Sequence, residues 1–394
     1  MTQWQLSDEE RRDLLDFTRR LVQTPSLPGD EGKVAALVMA EMERLGFRDV
    51  QTDEAGNVFG TVGAEAGPLL LFDSHMDTVE PANPQAWTMD PWSGVVRDGR
   101  LYGLGSCDMK AGLAASIYGV AHLQRLGLPL RGRVMVAAVV LEEPAEGTGT
   151  RLLFQLNRIR PDWVVIAEPS SLHVVRAQRG HLEMTVEVHG RSAHSAAPQL
   201  GKNAIYEAAR VIFGLELLEE QLPTHPFLGK GVLAVTEISS QAVSRNAIPY
   251  ACHLFIDRRL TVGETEALAL TEVQRVIARE GVSADVRIVE EQVRTYTGHT
   301  YTARRASPPW LFDEGHPLIR AAVQAVRTAG LRPQVGRWDF ATEGAYTAGV
   351  LQIPTVGLGP GDPAMAHTVN ESVAVDELYA AAAIYAALGA ALLG

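Results

Sequence analysis

Residues 69–77 read LLLFDSHMD. Four apolar residues in succession, without polar alternation, fit a strand covered on both faces, as in the middle of a parallel sheet. The run then breaks into His75 and Asp77. Three other segments have the same form. VAAVVLEE ends in Glu142 and Glu143, WVVIAE ends in Glu168, and IPTVGLGPGDPAMAH reaches His367 through a loop. Helical stretches such as 109–126 separate these runs, which predicts an α/β unit: a large mixed, mostly parallel sheet flanked by helices. Ligand sites in such sheets lie outside the carboxyl ends of the strands. These histidines and carboxylates are therefore expected to converge.

Working outward, Ser7 followed by Asp8, Glu9 and Glu10 forms a capping box with acid in the first turn, predicting a helix to about residue 22. A second helix is predicted over 31–45, stopped by Gly46. From about 180 to 291 the strand candidates alternate apolar and polar residues, the mark of a sheet with one wet face. Their order is strand 182–188, helix 203–220, strands 232–239 and 251–257, helix 264–280 and strand 284–289. That is the β-α-β-β-α-β arrangement of a ferredoxin-like unit. The expected organisation is a catalytic domain in two parts, 1–178 and 293–394, with an inserted α+β domain over 179–292. TYTGHTYTARRASPPWLFDEG, residues 295–315, reads as a pattern-poor connection. Residues 378–394 carry no charge but are largely alanine, and read as a packed terminal helix rather than a membrane span.

The 394 residues hold 35 basic and 47 acidic side chains, a formal charge of −12 with a pI near 5.4, which argues against nucleic-acid partners. With 46% hydrophobic and 21% charged residues, disordered and fibrous classes are excluded. Cys107 and Cys252 are too few for a disulfide framework and fit a reducing compartment. No basic segment followed by an apolar stretch opens the chain, so a cytoplasmic location without membrane attachment is expected.

Asp108, in GLGSCDMKAG before a helix, either joins the strand-end groups or serves as a plain N-cap. Several carboxylates in one crevice repel unless cations neutralise them. Two divalent ions would be balanced by Asp108, Glu143, Glu168 and a bridging hydroxide, with neutral His75 and His367 completing the shells. Imidazole mixed with carboxylate favours zinc, with cobalt or manganese as alternatives. Glu142 and Glu143 leave the strand in different directions, so one can ligate while the other takes a proton from the activated water. Asp77, two positions after His75, is placed to accept the imidazole N–H. A phosphate loop in GLGSCDMKAG would need a Gly-Lys-Ser/Thr, which is absent.

SHMDTV, YGLGSCDMKAGLAA, LEEPAEG, AEPS, GRSAHSAAP, RNAIP with DRR, and AHTVNE span nearly the whole chain. Together they resemble the co-catalytic zinc amidohydrolases that include acetylornithine deacetylase, succinyl-diaminopimelate desuccinylase, aminoacylase and glutamate carboxypeptidase. The resemblance implies that Asp108 bridges two zinc ions, Glu143 and His367 hold one, His75 and Glu168 hold the other, and Glu142 is the general base. It implies that the insert is a dimerisation and lid domain of a homodimer, in which His194 reaches the neighbouring site to stabilise the oxyanion. Asn246, Arg259, Thr342 and Gly344 match substrate-contacting positions. Arg259 suits a substrate carboxylate, as does Arg258 if the strand register differs by one. Ser74 and Cys107 depart from the family's usual residues without removing a ligand, and Glu343 stands where its turn usually has Asp. The function implied is hydrolysis of N-acyl amino acids by a bridging hydroxide. Dipeptide or carboxypeptidase-type cleavage is the enzymatic alternative, and metal or metabolite binding without turnover the non-enzymatic one.

Overall fold

A computed structural model describes residues 3–394. Its large sheet has nine strands, and the four at its centre, Arg133–Val139, Leu69–His75, Trp163–Ile166 and Thr355–Gly357, run parallel. Every residue of Leu69–His75 is buried. Leu70 and Phe72 pack into one core and Leu69 and Leu71 into another on the opposite face. This two-sided burial explains why the strand shows no polar alternation.

The capping box at Ser7 forms in both directions, with Ser7 N–H donating to Glu10 Oε2 (2.8 Å) and Glu10 N–H to Ser7 Oγ (3.2 Å). The resulting helix spans Asp8–Val22. Val375–Leu393 is long and apolar enough to cross a membrane, yet its residues from Ala381 to Gly389 are buried, and it packs on the Ala111–Arg125 helix. Gly119 permits that approach, since a Cβ there would lie 2.5 Å from the Ala382 carbonyl oxygen. The helix belongs to the core.

A second sheet has five strands, all antiparallel, in the order Val232–Gln241, Ala251–Leu260, Gly180–His189, Ala284–Ile288, with Ala306–Ser307 beside Gly180–His189. Two helices, Ala204–Glu220 and Glu266–Arg279, cover one face, and their apolar residues close a separate core with Leu182, Met184, Val186 and Ile256. The strand order is that of a ferredoxin-like unit. Two details differ from the sequence reading. Residues 295–315 are not without pattern, because Glu290–Arg294 pairs with Thr300–Arg304 in a hairpin whose Tyr296 hydroxyl donates to the Gly56 carbonyl. The chain also returns to the large sheet later than residue 292: Ala306–Ser307 still belongs to the small sheet, and Trp310–Leu311 joins the large one. Periodicity missed both because the segments are short, with only one buried residue in each of Glu290–Arg294, Thr300–Arg304 and Trp310–Leu311, too few to establish a repeat.

Arg258 is fully buried on the helix side of the second sheet, with its guanidinium 2.6 Å from both Glu264 Oε1 and Glu272 Oε2. It is a core ion pair, which leaves Arg259 as the arginine on the other face. Removing one partner of a buried pair strands the remaining charge, at a cost of about 3–5 kcal/mol. Glu264→Ala is therefore expected to lower unfolding stability by about 3 kcal/mol or more in a urea titration. A loss below about 1 kcal/mol would show that Glu272 alone satisfies Arg258.

Candidate metal centre

The strand-end groups meet. His75 ends the Leu69–His75 strand, and its Nε2 lies 3.1 Å from Asp108 Oδ1 and 3.4 Å from Glu168 Oε1. His367 Nε2 lies 3.0 Å from Glu143 Oε2 and 3.4 Å from Asp108 Oδ2. The two oxygens of Asp108 thus face two different imidazoles, each with one further carboxylate. Asp108 is no N-cap, because the helix begins at Ala111 and its N-terminus receives no side-chain bond. Leu141 and His367 have left-handed backbones (φ 59° and 58°), and such turns in branched or bulky residues persist only where the surroundings impose them. The turn at Leu141 carries the chain out of the strand run and presents Glu142 and Glu143 at the crevice.

Glu142 has donor atoms within 4.8 Å of those of His75 and Glu168. Its side chain is buried and its Oε1 has no hydrogen-bond partner. Burial, then the charges of Glu343, Glu168 and Glu143, pushes its pKa well up, against the pull of His75. Burial and Asp108 raise Glu168 to about 8, and Glu143 rises for the same two reasons. The imidazoles respond oppositely. Contacts with Asp108 and Glu143 raise His367 to about 10, and bonds to Asp108 and Glu168 raise His75 despite its burial. Burial opposes the charge of Asp108, but its bonds to His367 and His75 hold it low. These shifts describe a group of acids and imidazoles that hold one another together with protons, and a divalent cation inverts that logic by replacing the protons. The donor set fits such ions: two imidazoles and three carboxylates in two clusters sharing Asp108, with unbonded buried oxygens on Glu142 and Glu168.

One role differs from the sequence reading. His75 Nδ1 lies 2.9 Å from the backbone carbonyl of Asp77 and 3.6 Å from its carboxylate. The imidazole is oriented by the main chain of Asp77. The carboxylate is occupied elsewhere, accepting the backbone N–H groups of Glu142 (3.2 Å) and Glu143 (3.0 Å). Asp77 therefore ties two strand ends together and fixes both glutamates.

Two supporting groups, Glu371 and Lys110, were not singled out from the sequence, whereas Glu343 was. Glu371 is buried and accepts the backbone N–H groups of Gly105 (2.9 Å), Cys107 (2.7 Å) and Asp108 (3.0 Å), which sets the loop that presents Asp108. Lys110, also buried, donates to the carbonyls of Leu21 (3.0 Å) and Thr24 (2.8 Å), and burial lowers its pKa to about 7. Glu343 is fully buried with neither oxygen bonded, and after burial the charges of Asp73 and Glu168 raise its pKa.

Among the described residues, the four substrate-contacting candidates and His194 make no hydrogen bond to the residues of these clusters. His194 is in an exposed loop, where its Nδ1 accepts the Ala196 N–H and its backbone pairs with Ala247. Asn246 is its neighbour, through the Ser195 N–H to the Asn246 carbonyl (2.9 Å). Arg259 grips Asp257 with two bonds of 2.9 Å each. Asp257 also holds His181, whose Nδ1 lies 2.8 Å from Glu146, four residues beyond Glu142. Thr342 donates to Gln178 (2.7 Å), and Gly344 packs where a Cβ would meet Trp310 Nε1 at 2.8 Å.

The profile of Peptidase family M20/M25/M40 matches residues 71–390. The chain belongs to this family. Family M20 enzymes are metal-dependent hydrolases of amide or peptide bonds, usually with a dinuclear centre, and this chain is one of them. It is 36% identical over 378 residues to "Uncharacterized protein YgeY" of Escherichia coli (strain K12), covering 95% of this chain and 93% of that one. It is 28% identical over 390 residues to "Succinyl-diaminopimelate desuccinylase 2" of Ruegeria sp. (strain TM1040), again covering 95% and 93%. The fold is shared with the crystal structure of aminopeptidase PepT from Bacillus cereus ATCC 10987, at a TM-score of 0.75 and 22% identity, over 97% of this chain and 98% of that one.

Metal ligands must be deprotonated, and the carboxylates beside His75 and His367 raise both imidazoles, so cation binding in this family M20 centre would displace protons. Metal binding is expected to release at least one proton per chain near neutral pH, read from calorimetry in buffers of different ionisation enthalpy, and to tighten as pH rises from about 5.5 to 8. Affinity independent of pH over that range would mean that these groups are not the ligands.

Proposed function

We propose that the protein hydrolyses the amide bond of N-acyl amino acids in the manner of a deacetylase or desuccinylase, with two zinc ions in the crevice. The observation that carries this reading is the Asp108 carboxylate directed at two imidazoles, with the unbonded, buried oxygen of Glu142 beside it. His75, Asp108 and Glu168 would hold one cation, and His367, Asp108 and Glu143 the other. When bound, such cations supply Lewis acidity and a water acidified to a pKa of about 7. Glu142 then does the proton work: it takes a proton as the water attacks the acyl carbon and delivers it to the departing amine nitrogen. Asp77 keeps Glu142 in place through its backbone N–H. Asp257 holds Arg259 ready, and Arg259 takes the substrate carboxylate by releasing Asp257, which His181 retains. Asn246, Thr342 and Gly344 complete the substrate contacts.

The inserted unit would act as a lid and as the contact between two copies in a homodimer, with His194 of the partner subunit supplying the oxyanion contact. Tyr206, Phe213, Leu217 and Ile238 support this, since they are 71%, 65%, 51% and 53% exposed on one helix and the adjoining edge strand. Large apolar side chains exposed together on one helix and the adjoining edge strand suit an interaction site. The free thiols of Cys107 and Cys252 suit work in the cytoplasm.

Glu343 favours a second reading. A buried carboxylate with both oxygens unbonded suits a substrate ammonium, as in cleavage of a dipeptide or a free peptide N-terminus. A panel of N-acetyl amino acids, N-succinyl amino acids and dipeptides, assayed on the metal-loaded protein, separates the two. Turnover of acyl substrates at least tenfold above dipeptides is expected, and exclusive turnover of dipeptides would replace the first reading with the second.

A further inference from the structure

A cavity of about 610 Å³ lies at the junction of the two units and includes none of the metal-centre residues. Leu182, Leu260 and Val262 of the inserted unit form one wall, and Trp310, Phe312 and Val350 of the large unit the other. Its size falls within the range of small-molecule sites, which are mostly apolar with a few placed polar groups.

The four charged residues of the lining, Arg151, Arg304, Glu264 and Glu266, sum to zero, but three of them are engaged in ion pairs. Glu264 is bound to Arg258 and to the Thr261 N–H. Glu266 is bound to Arg304, which also reaches Glu290 (2.7 Å). Arg151, the remaining charged residue of the lining, has no carboxylate partner among the described residues. Its Nη1 donates to the neutral Tyr301 hydroxyl (3.1 Å), and the guanidinium lies over the Tyr346 ring, 5.0 Å from its centroid. A guanidinium offers five N–H donors in a fork that matches a carboxylate. An apolar chamber with one unmatched, half-buried cation is complementary to an apolar monoanion.

We propose that this cavity is a second small-molecule site, which takes an apolar monocarboxylate with Arg151 as its anion partner. The walls come from both units, at the two places where the chain crosses between them, near Gly180 and between Ser307 and Trp310. An occupant therefore bridges the crossing points.

The probes are ω-phenylalkanoates of two to six chain carbons and their matching amides, titrated calorimetrically into the full-length protein. Because a carboxylate can also bind metal, the titration is run on metal-loaded and on chelator-stripped protein. One saturable site per chain is expected in both, with at least one acid binding below about 1 mM and its amide at least about tenfold weaker. Arg151→Gln should weaken the acid about tenfold and leave the amide unchanged, while Val350→Trp, which fills the chamber, should remove both. Both variants should hydrolyse substrate as the wild type does, which verifies that they are folded. If Val350→Trp does not fold, the comparison of acid with amide and the Arg151→Gln variant still decide. The proposal is overturned by absence of saturable binding up to about 5 mM, by binding confined to metal-loaded protein, or by equal affinity of acid and amide. Acid affinity unaltered by Arg151→Gln also overturns it.

Discussion

Glu142→Gln is expected to retain two divalent ions per chain while kcat falls by about 10²–10⁴-fold. The exchange keeps the size of the side chain and the backbone N–H that donates to Asp77, so the strand end stays where it is. It removes the proton acceptor beside the water. The fold should not suffer. Burial and three neighbouring acids already disfavour a charge at position 142, and a neutral amide removes that repulsion. Thermal unfolding of metal-stripped Glu142→Gln should therefore match or exceed the wild type. Unchanged turnover would remove Glu142 from the reaction, whereas loss of metal together with turnover would recast it as a ligand.

Asp108→Ala is expected to do more. It takes a donor from both clusters at once and leaves His75 and His367 with one carboxylate each from Glu168 and Glu143. Metal content should fall below about one ion per chain by elemental analysis, and kcat/KM by about 10³-fold or more, without rescue by added zinc. Glu143→Ala removes a donor from one cluster only, so it should keep one ion and recover partly in excess metal. Two tightly held ions in Asp108→Ala would show that the carboxylate does not bridge.

The convergence of the candidate metal donors could be read from sequence because the sheet itself delivers them. An apolar run buried on both faces must end where the sheet ends, so His75, Glu142, Glu143 and Glu168 mark one edge of one layer, and the topology brings those edges together. The supporting groups carry no such signature. Glu371 binds the loop of Asp108 across more than 260 positions, and nothing local distinguishes it from a surface glutamate. Asp77 was read by its side chain, but its carbonyl orients the imidazole, and a main-chain donor or acceptor leaves no mark in residue type. The facing of Arg258 and Arg259 depends on strand register, which one residue of slip reverses. Burial of Arg258 beside Glu264 and Glu272 fixes it.

The most direct test of the centre is anomalous diffraction from crystals of the zinc-loaded protein, collected on both sides of the zinc edge. Two peaks about 3.5–4 Å apart are predicted, one on each side of the Asp108 carboxylate, the first between His75 and Glu168 and the second between His367 and Glu143. A single peak that leaves one of these clusters without metal, or peaks located away from Asp108, would contradict the account.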